Sequence, residues 1–207
     1  MIDIGQGTSG LMVMGHCPVL PEGDLGRTTG SIVLLGPDEP LFWTVFQGSA
    51  EGGDGQPDPM DRWSRRVIDR IADDEGGAAI YPFGGPPYHP FFRWAERSGR
   101  AWVSPVGFLV HDVAGLFASF RGAIWTPRTF PKAQSDNPCL TCAAPCKTSC
   151  PVDALSASYD VPACKAHLAS PLGADCMAGG CLARRACPVG ADHRIPAQAA
   201  FHMKAFI

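Results

Sequence analysis

The chain lacks any apolar run approaching the roughly 18 residues a membrane-spanning helix needs. The nearest candidate, residues 101–120, is broken by Ser104, Pro105, His111 and Asp112, so no membrane partner is expected. No basic stretch precedes an apolar segment with a small-residue cleavage site at the N-terminus; no export signal is read, and a cytoplasmic location is expected. A basic tract is missing too. Residues 1–120 carry 8 Lys/Arg against 15 Asp/Glu, a net of −7, and residues 121–207 carry 9 against 5, a net of +4. An acidic front without a basic stripe is a poor electrostatic footprint for nucleic acid. Neither an internal repeat nor a low-complexity tract appears. No Ser/His/Asp arrangement, P-loop or paired-His zinc motif stands out, so no catalytic residue is assigned. Cysteine is nearly missing from the front half, where Cys17 is alone; the other eight of nine lie between Cys139 and Cys187.

What is present suits a folded protein. Of 207 residues, 45% are apolar and 18% charged, enough to bury a real core. Leu11 to Met14 and Ser31 to Leu35 are short apolar runs bounded by Gly and Pro, as buried strands are. Asp58 to Glu75 predicts a helix, with Asp58 as cap, Pro59 in the first turn and an apolar stripe of Met60, Trp63, Val67, Ile68 and Ile71. Ala78 to Phe83 predicts a strand into the rigid turn Phe83-Gly84-Gly85-Pro86-Pro87. A short helix over residues 90–98 closes on Gly99. Val106 to His111 and Leu116 to Phe120 flank Asp112-Val113-Ala114-Gly115, a hairpin signal. The order β-β-α-β-α-β-β favours an α+β fold, a mixed or antiparallel sheet with packed helices. The expected organisation is a cofactor- or partner-binding domain over 1–128, a linker over 129–138 and a cysteine-rich domain over 139–207.

The cysteines form two groups of four, Cys139-x2-Cys142-x3-Cys146-x3-Cys150-Pro151 and Cys164-x11-Cys176-x4-Cys181-x5-Cys187-Pro188. Each ends in Cys-Pro. Bacterial two-cluster ferredoxins use C-x2-C-x2-C-x3-C-P, where three cysteines wrap one cluster and the fourth crosses to the other. That logic assigns Cys139, Cys142, Cys146 and Cys187 to one 4Fe-4S cluster, and Cys150, Cys164, Cys176 and Cys181 to a second. One extra residue after Cys142 and the stretched second group depart from the bacterial run. Each cubane with four thiolates carries about −2 when oxidised, which offsets the positive back segment. Two rivals remain: structural zinc, which suits C-x2-C pairs, and disulfides, which need an oxidising compartment.

Residues 137–190 resemble the double-cubane module of epoxyqueuosine reductases and reductive dehalogenases, with Cys164 in Asp160-Val161-Pro162-Ala163-Cys164 as the isolated middle cysteine. The front half is similar to the cobalamin-processing family of combined methylmalonic aciduria and homocystinuria type C (MMACHC-like). The likeness rests on Val106-Gly107-Phe108-Leu109-Val110-His111, on Gly115-Leu116-Phe117-Ala118-Ser119-Phe120-Arg121-Gly122, on Ser31 to Leu35 and on the helix start at Asp58-Pro59-Met60-Asp61. It covers residues 28–125 and implies a flavin-reductase-like domain holding a corrinoid, or a flavin, with His111, Phe117 and Arg121 lining that cofactor. Epoxyqueuosine reductases and reductive dehalogenases also place a corrinoid domain before two cubanes, so the two resemblances support each other. The implied activity is a corrinoid reductase fed by a redox protein partner. The alternative is a ferredoxin-like carrier with a degenerate docking domain. Asp-x-His-x-x-Gly, which supplies histidine to cobalt in base-off corrinoid enzymes, is not found, and the chain ends soon after Cys187, which argues against tRNA as substrate.

Weaker signals have plainer readings. Gly5-x-Gly7-x-x-Gly10 matches a dinucleotide fingerprint, but an apolar strand and not a helix is expected after it. Tyr81, Phe83, Tyr88, Phe91, Phe92 and Trp94 either wall a planar cofactor or pack a short helix. His111 reaches a ligand or faces solvent in a turn, and Arg121 pairs with a ligand anion or ends a strand. Cys17 is a reactive thiol beside His16 or a small buried side chain.

Overall fold

The computed structural model describes residues 2, 4–5, 7–20, 25–156 and 158–207. It is a mixed α and β protein. Strands β1 (Leu11–Pro18) and β2 (Ser31–Pro37) come first, followed by helices α1 (Leu41–Gln47), α2 (Ala50–Gly53) and α3 (Pro59–Asp74). Next come β3 (Ala78–Ile80), α4 (Phe91–Arg97) and three short strands, β4 (Ala101–Val103), β5 (Leu109–His111) and β6 (Gly122–Thr126). The remainder is helical: α5 (Val161–Leu168), α6 (Ala174–Gly179), α7 (Leu182–Arg185) and α8 (Pro196–Phe206), with 3-10 turns over Pro145–Lys147, Pro171–Gly173 and Ala191–His193. Among the described residues no helix is long and apolar enough to cross a membrane.

The chain divides into two compact units. The first holds residues 1–100 and 119–135; the second holds 101–118 and 136–207. The expected front domain ran unbroken to residue 128. Residues 101–118 instead pack in the unit that carries the eight clustered cysteines. The reason is apolar burial: Val106, Val110 and Leu116 form one core with Cys146, Ala183 and Cys187.

In the first unit an antiparallel sheet runs β1-β2-β6-β3. Every residue of β2 is buried, since it lies between two neighbours with both faces covered. This is why its sequence is an unbroken apolar run rather than an alternating one. The predicted helix over 58–75 is α3, with Met60, Trp63, Ile68 and Ile71 buried. Asp58 does not cap it with its side chain; it takes a left-handed conformation (φ 50°) and its carbonyl accepts the Arg62 amide. Helix α1 was absent from the sequence reading. It is built on Phe42 and Phe46, whose rings meet Trp63 of α3 edge-on at 5.3 and 6.2 Å. Such contacts are tertiary, so a seven-residue aromatic segment gives little periodic signal alone.

The expected hairpin of Val106–His111 with Leu116–Phe120 is corrected by one segment. β5 pairs with β4, in the register Ala101–His111, Trp102–Val110 and Val103–Leu109. The turn Asp112 to Gly115 does form, closed by reciprocal amide–carbonyl bonds between His111 and Gly115 at 3.0 and 2.9 Å. Beyond it the chain folds back on itself, Phe117 donating to the Ala114 carbonyl, and strand pairing resumes only at Gly122.

An ion pair joins α2 to α3: Arg66 Nε lies 2.6 Å from Glu51 Oε1, and Nη2 is 2.9 Å from Oε2. The guanidinium bond holds Glu51 at about 2, below its ordinary 4.5. The pair therefore stabilises fully above 4.5; as pH falls the unfolded chain takes its proton first, and the contribution fades toward about 2. Glu51→Gln is expected to cost about 1 kcal/mol at pH 7 in chemical denaturation. That difference should shrink steadily below pH 4.5; a difference independent of pH would refute the pairing.

Candidate metal centre

The first cysteine group sits on tight turns. Asn137 accepts the Cys139 amide at its side-chain oxygen (2.9 Å), and Cys139 in turn accepts the Cys142 amide. Ala144, left-handed at φ 53°, redirects the chain into the turn Pro145–Lys147 that carries buried Cys146. Three cysteines are thereby aimed inward within a few residues. Cys187 follows α7, its amide bonded to the Arg184 carbonyl, and Arg194 donates to the Cys187 carbonyl.

Cys139, Cys142, Cys146 and Cys187 line one small cavity of about 20 Å³, partly open, with Val110, Leu116, Pro138, Pro145 and Val189 as apolar walls. Burial, then the neighbouring sulfurs, pushes the Cys139 thiol up. Burial and Cys187 do the same to Cys146, opposed by its own amide and that of Lys147. Four thiolates packed together need a cationic core to hold them ionised. The Ser104 hydroxyl stands in the same wall, 5% exposed, with no hydrogen-bond partner among the described residues. An orphaned hydroxyl in a thiol-lined cavity fits a group bearing acceptor sulfurs.

The second group is held by helices. Cys164 lies in α5, whose N-cap Asp160 accepts the Ala163 amide at 2.9 Å. Cys176 is buried in α6, and its thiol is raised by burial, opposed by the Leu182 amide and raised further by Cys181. Cys181 caps α7. The Tyr159 hydroxyl stands 3.6 Å from Cys164 Sγ and within electrostatic reach of Cys181. Cys164 and Cys181 thus lie near the Tyr159 hydroxyl, and Cys176 within electrostatic reach of Cys181; Cys150 is half-buried at the end of the first loop.

Among the described residues no disulfide joins any of the nine cysteines. Among the described residues no three His, Cys, Asp or Glu side chains are grouped so as to hold a metal ion. A tetrahedral zinc ion at about 2.3 Å from each sulfur draws its ligands to about 3.8 Å of one another. The ligands of a cubane sit on separate irons and stand farther apart.

The residues expected to line a planar cofactor are divided. His111 and Phe117 belong to the second unit and Arg121 to the first. His111 is fully buried and not solvent-facing; its Nδ1 accepts the amides of Val113 and Ala114, both at 3.2 Å. Its Nδ1 also stands 3.1 Å from the Asp112 carboxylate. His111→Ala would leave two amides unpaired and is expected to cost about 2 kcal/mol. Chemical denaturation reads this; a loss under about 0.5 kcal/mol would show the imidazole to be dispensable. Arg121 faces Asp61 of α3, Nη1 to Oδ1 at 3.6 Å, and burial raises the Asp61 carboxyl. Its charge faces this carboxyl inside the first unit, while its buried Nε lacks a hydrogen-bond partner among the described residues.

The other candidates take structural places. Cys17 is 1% exposed and accepts from the Arg97 guanidinium at 3.3 Å, as a buried side chain. Gly5 to Gly10 closes on the Gly5 carbonyl and leads into β1, without a helix to receive phosphate; Gln6 lies outside the described residues. Phe91 and Trp94 are buried, Tyr88 and Phe92 exposed, and Tyr81 stacks on Phe83 beneath Arg65. Sequence reasoning missed Ser104, Phe108, Tyr159 and Arg184, which bear on the cysteines only through tertiary contact. No protein-family model, curated protein or solved structure matches the chain.

Proposed function

We propose that the chain is an iron–sulfur electron carrier. Cys139, Cys142, Cys146 and Cys187 would hold one 4Fe-4S cluster, and Cys150, Cys164, Cys176 and Cys181 the other. The observation that carries this reading is the cavity shared by Cys187 and three cysteines far earlier in the chain. A bound cluster of this type takes up and releases single electrons at a potential set by its hydrogen bonds, net charge and exposure. The chain's own part is to position sulfur and keep water away. Val110, Leu116 and Val189 wall the first set, and the Ala144 amide donates to Cys142 Sγ at 3.3 Å. The second unit is on this reading the two-cluster module its sequence resembles, and the first unit serves to dock a redox protein partner.

The corrinoid reductase that the resemblance implies draws less support. His111 spends its Nδ1 on the backbone and Arg121 its charge on Asp61. The test uses anaerobically purified protein. Dithionite should bleach its visible absorption, and a one-electron acceptor should restore it with no cofactor added. Hydroxocobalamin and a flavin, titrated separately, should keep their free spectra. A saturable spectral shift of the cobalamin would restore the reductase reading, and a chain that dithionite does not bleach would end the carrier one.

A further inference from the structure

The second cysteine group is flanked by side chains that the ligand set itself does not require. Tyr159 points its hydroxyl at Cys164 Sγ, 3.6 Å away, an ordinary O–H to sulfur separation. Its ring is held without that hydroxyl: it stacks on Phe206 of α8 (centroids 6.4 Å apart, 8° between planes) and meets Phe108 edge-on at 5.5 Å. The Arg184 guanidinium lies over the other aromatic partner, 4.7 Å from the Phe108 ring centroid. Arg184 lies in α7, three residues after Cys181, and is half-buried. A cation partly withdrawn from water is favoured by an anion beside it, and the cysteine group supplies one when ionised.

We propose that Tyr159 and Arg184 are positioning residues that raise the reduction potential of the cluster bound by Cys150, Cys164, Cys176 and Cys181. This rests on the cluster reading above. A reduced cluster carries one more negative charge than the oxidised one. A hydroxyl donating to a ligand sulfur and a cation in a low-dielectric setting both favour the more negative state. Phe108 reaches this group from the loop joining β4 to β5 and fixes both residues at once.

The test is a redox titration of the iron-loaded chain followed by electron paramagnetic resonance. Tyr159→Phe keeps the ring and its stacking and removes only the hydroxyl; Arg184→Met keeps length and removes charge. In each variant, one centre is expected to shift about tenfold toward the oxidised state, or about 59 mV lower for a one-electron couple. The other centre should stay put, and the shift should persist in a Cys187→Ser background. Unchanged potentials in a fully loaded variant would overturn the inference alone. So would equal shifts of both centres, or loss of iron from Tyr159→Phe, which would place the hydroxyl in assembly. A wild-type chain without iron would remove the underlying cluster reading as well.

Discussion

Cys187→Ser is expected to remove about four of about eight irons and leave the second centre loaded. By linear proximity the opposite would hold, since Cys187 follows Cys176 and Cys181 and lies far from Cys139. The side chain nonetheless shares its cavity with Cys139, Cys142 and Cys146, and Cys146 and Cys187 sit in one buried core. Serine is nearly isosteric but a far weaker donor to iron at neutral pH, because its hydroxyl stays protonated. Cys150→Ser is the mirror case and should empty the group around Tyr159. Iron analysis with electron paramagnetic resonance of each reduced variant reads the outcome. Should the signal lost with Cys187 be the one that Tyr159→Phe perturbs, the two sets would have to be redrawn.

Gly115→Ala should be nearly as damaging, although Gly115 lies ahead of every clustered cysteine. Gly115 has φ +56°, and a Cβ there would collide with the Val189 carbonyl and stand 3.1 Å from Cys187 Sγ. Gly190, at φ +78°, abuts the Ala114 carbonyl in the same way. The two backbones press together, and that contact places Cys187. Left-handed strain costs about 1–2 kcal/mol, and overpacking adds about 1–3 kcal/mol. Gly107→Ala is the control: it has φ +77° in the loop from β4 to β5, but open space around its Cβ. It should lose only the strain and keep its iron, whereas Gly115→Ala should lose the first centre. Equal iron in the two variants would mean that the turn plays no part in positioning Cys187.

The contrast between these glycines shows what the sequence carried and what it did not. Ser31 to Leu35 and the stripe Met60, Trp63, Ile68, Ile71 were legible because their spacing alone signals a central strand and an amphipathic helix. The turn at Asp112 to Gly115 was legible from composition, but its strand partners were not. Ala101 to Val103 is short and follows a helix directly, and Leu116 to Phe120 is equally apolar, so only packing distinguishes them. The cysteine groups stood out by spacing. Ser104, Phe108, Tyr159 and Arg184 did not, since a lone serine, aromatic or arginine has no local pattern until the fold sets it beside sulfur. His111 and Arg121 illustrate the converse. Each looked ligand-facing in its segment; inside its own unit His111 accepts two backbone amides, and Arg121 faces Asp61 while its buried Nε lacks a hydrogen-bond partner among the described residues.

The most direct measurement is native mass spectrometry of the chain purified without oxygen, with iron and acid-labile sulfide determined on the same sample. The expected result is an apo mass increased by two Fe4S4 units, with about eight irons and about eight sulfides. Bound zinc, or a mass lowered by the hydrogens lost in forming disulfides among Cys139 to Cys187, would contradict it.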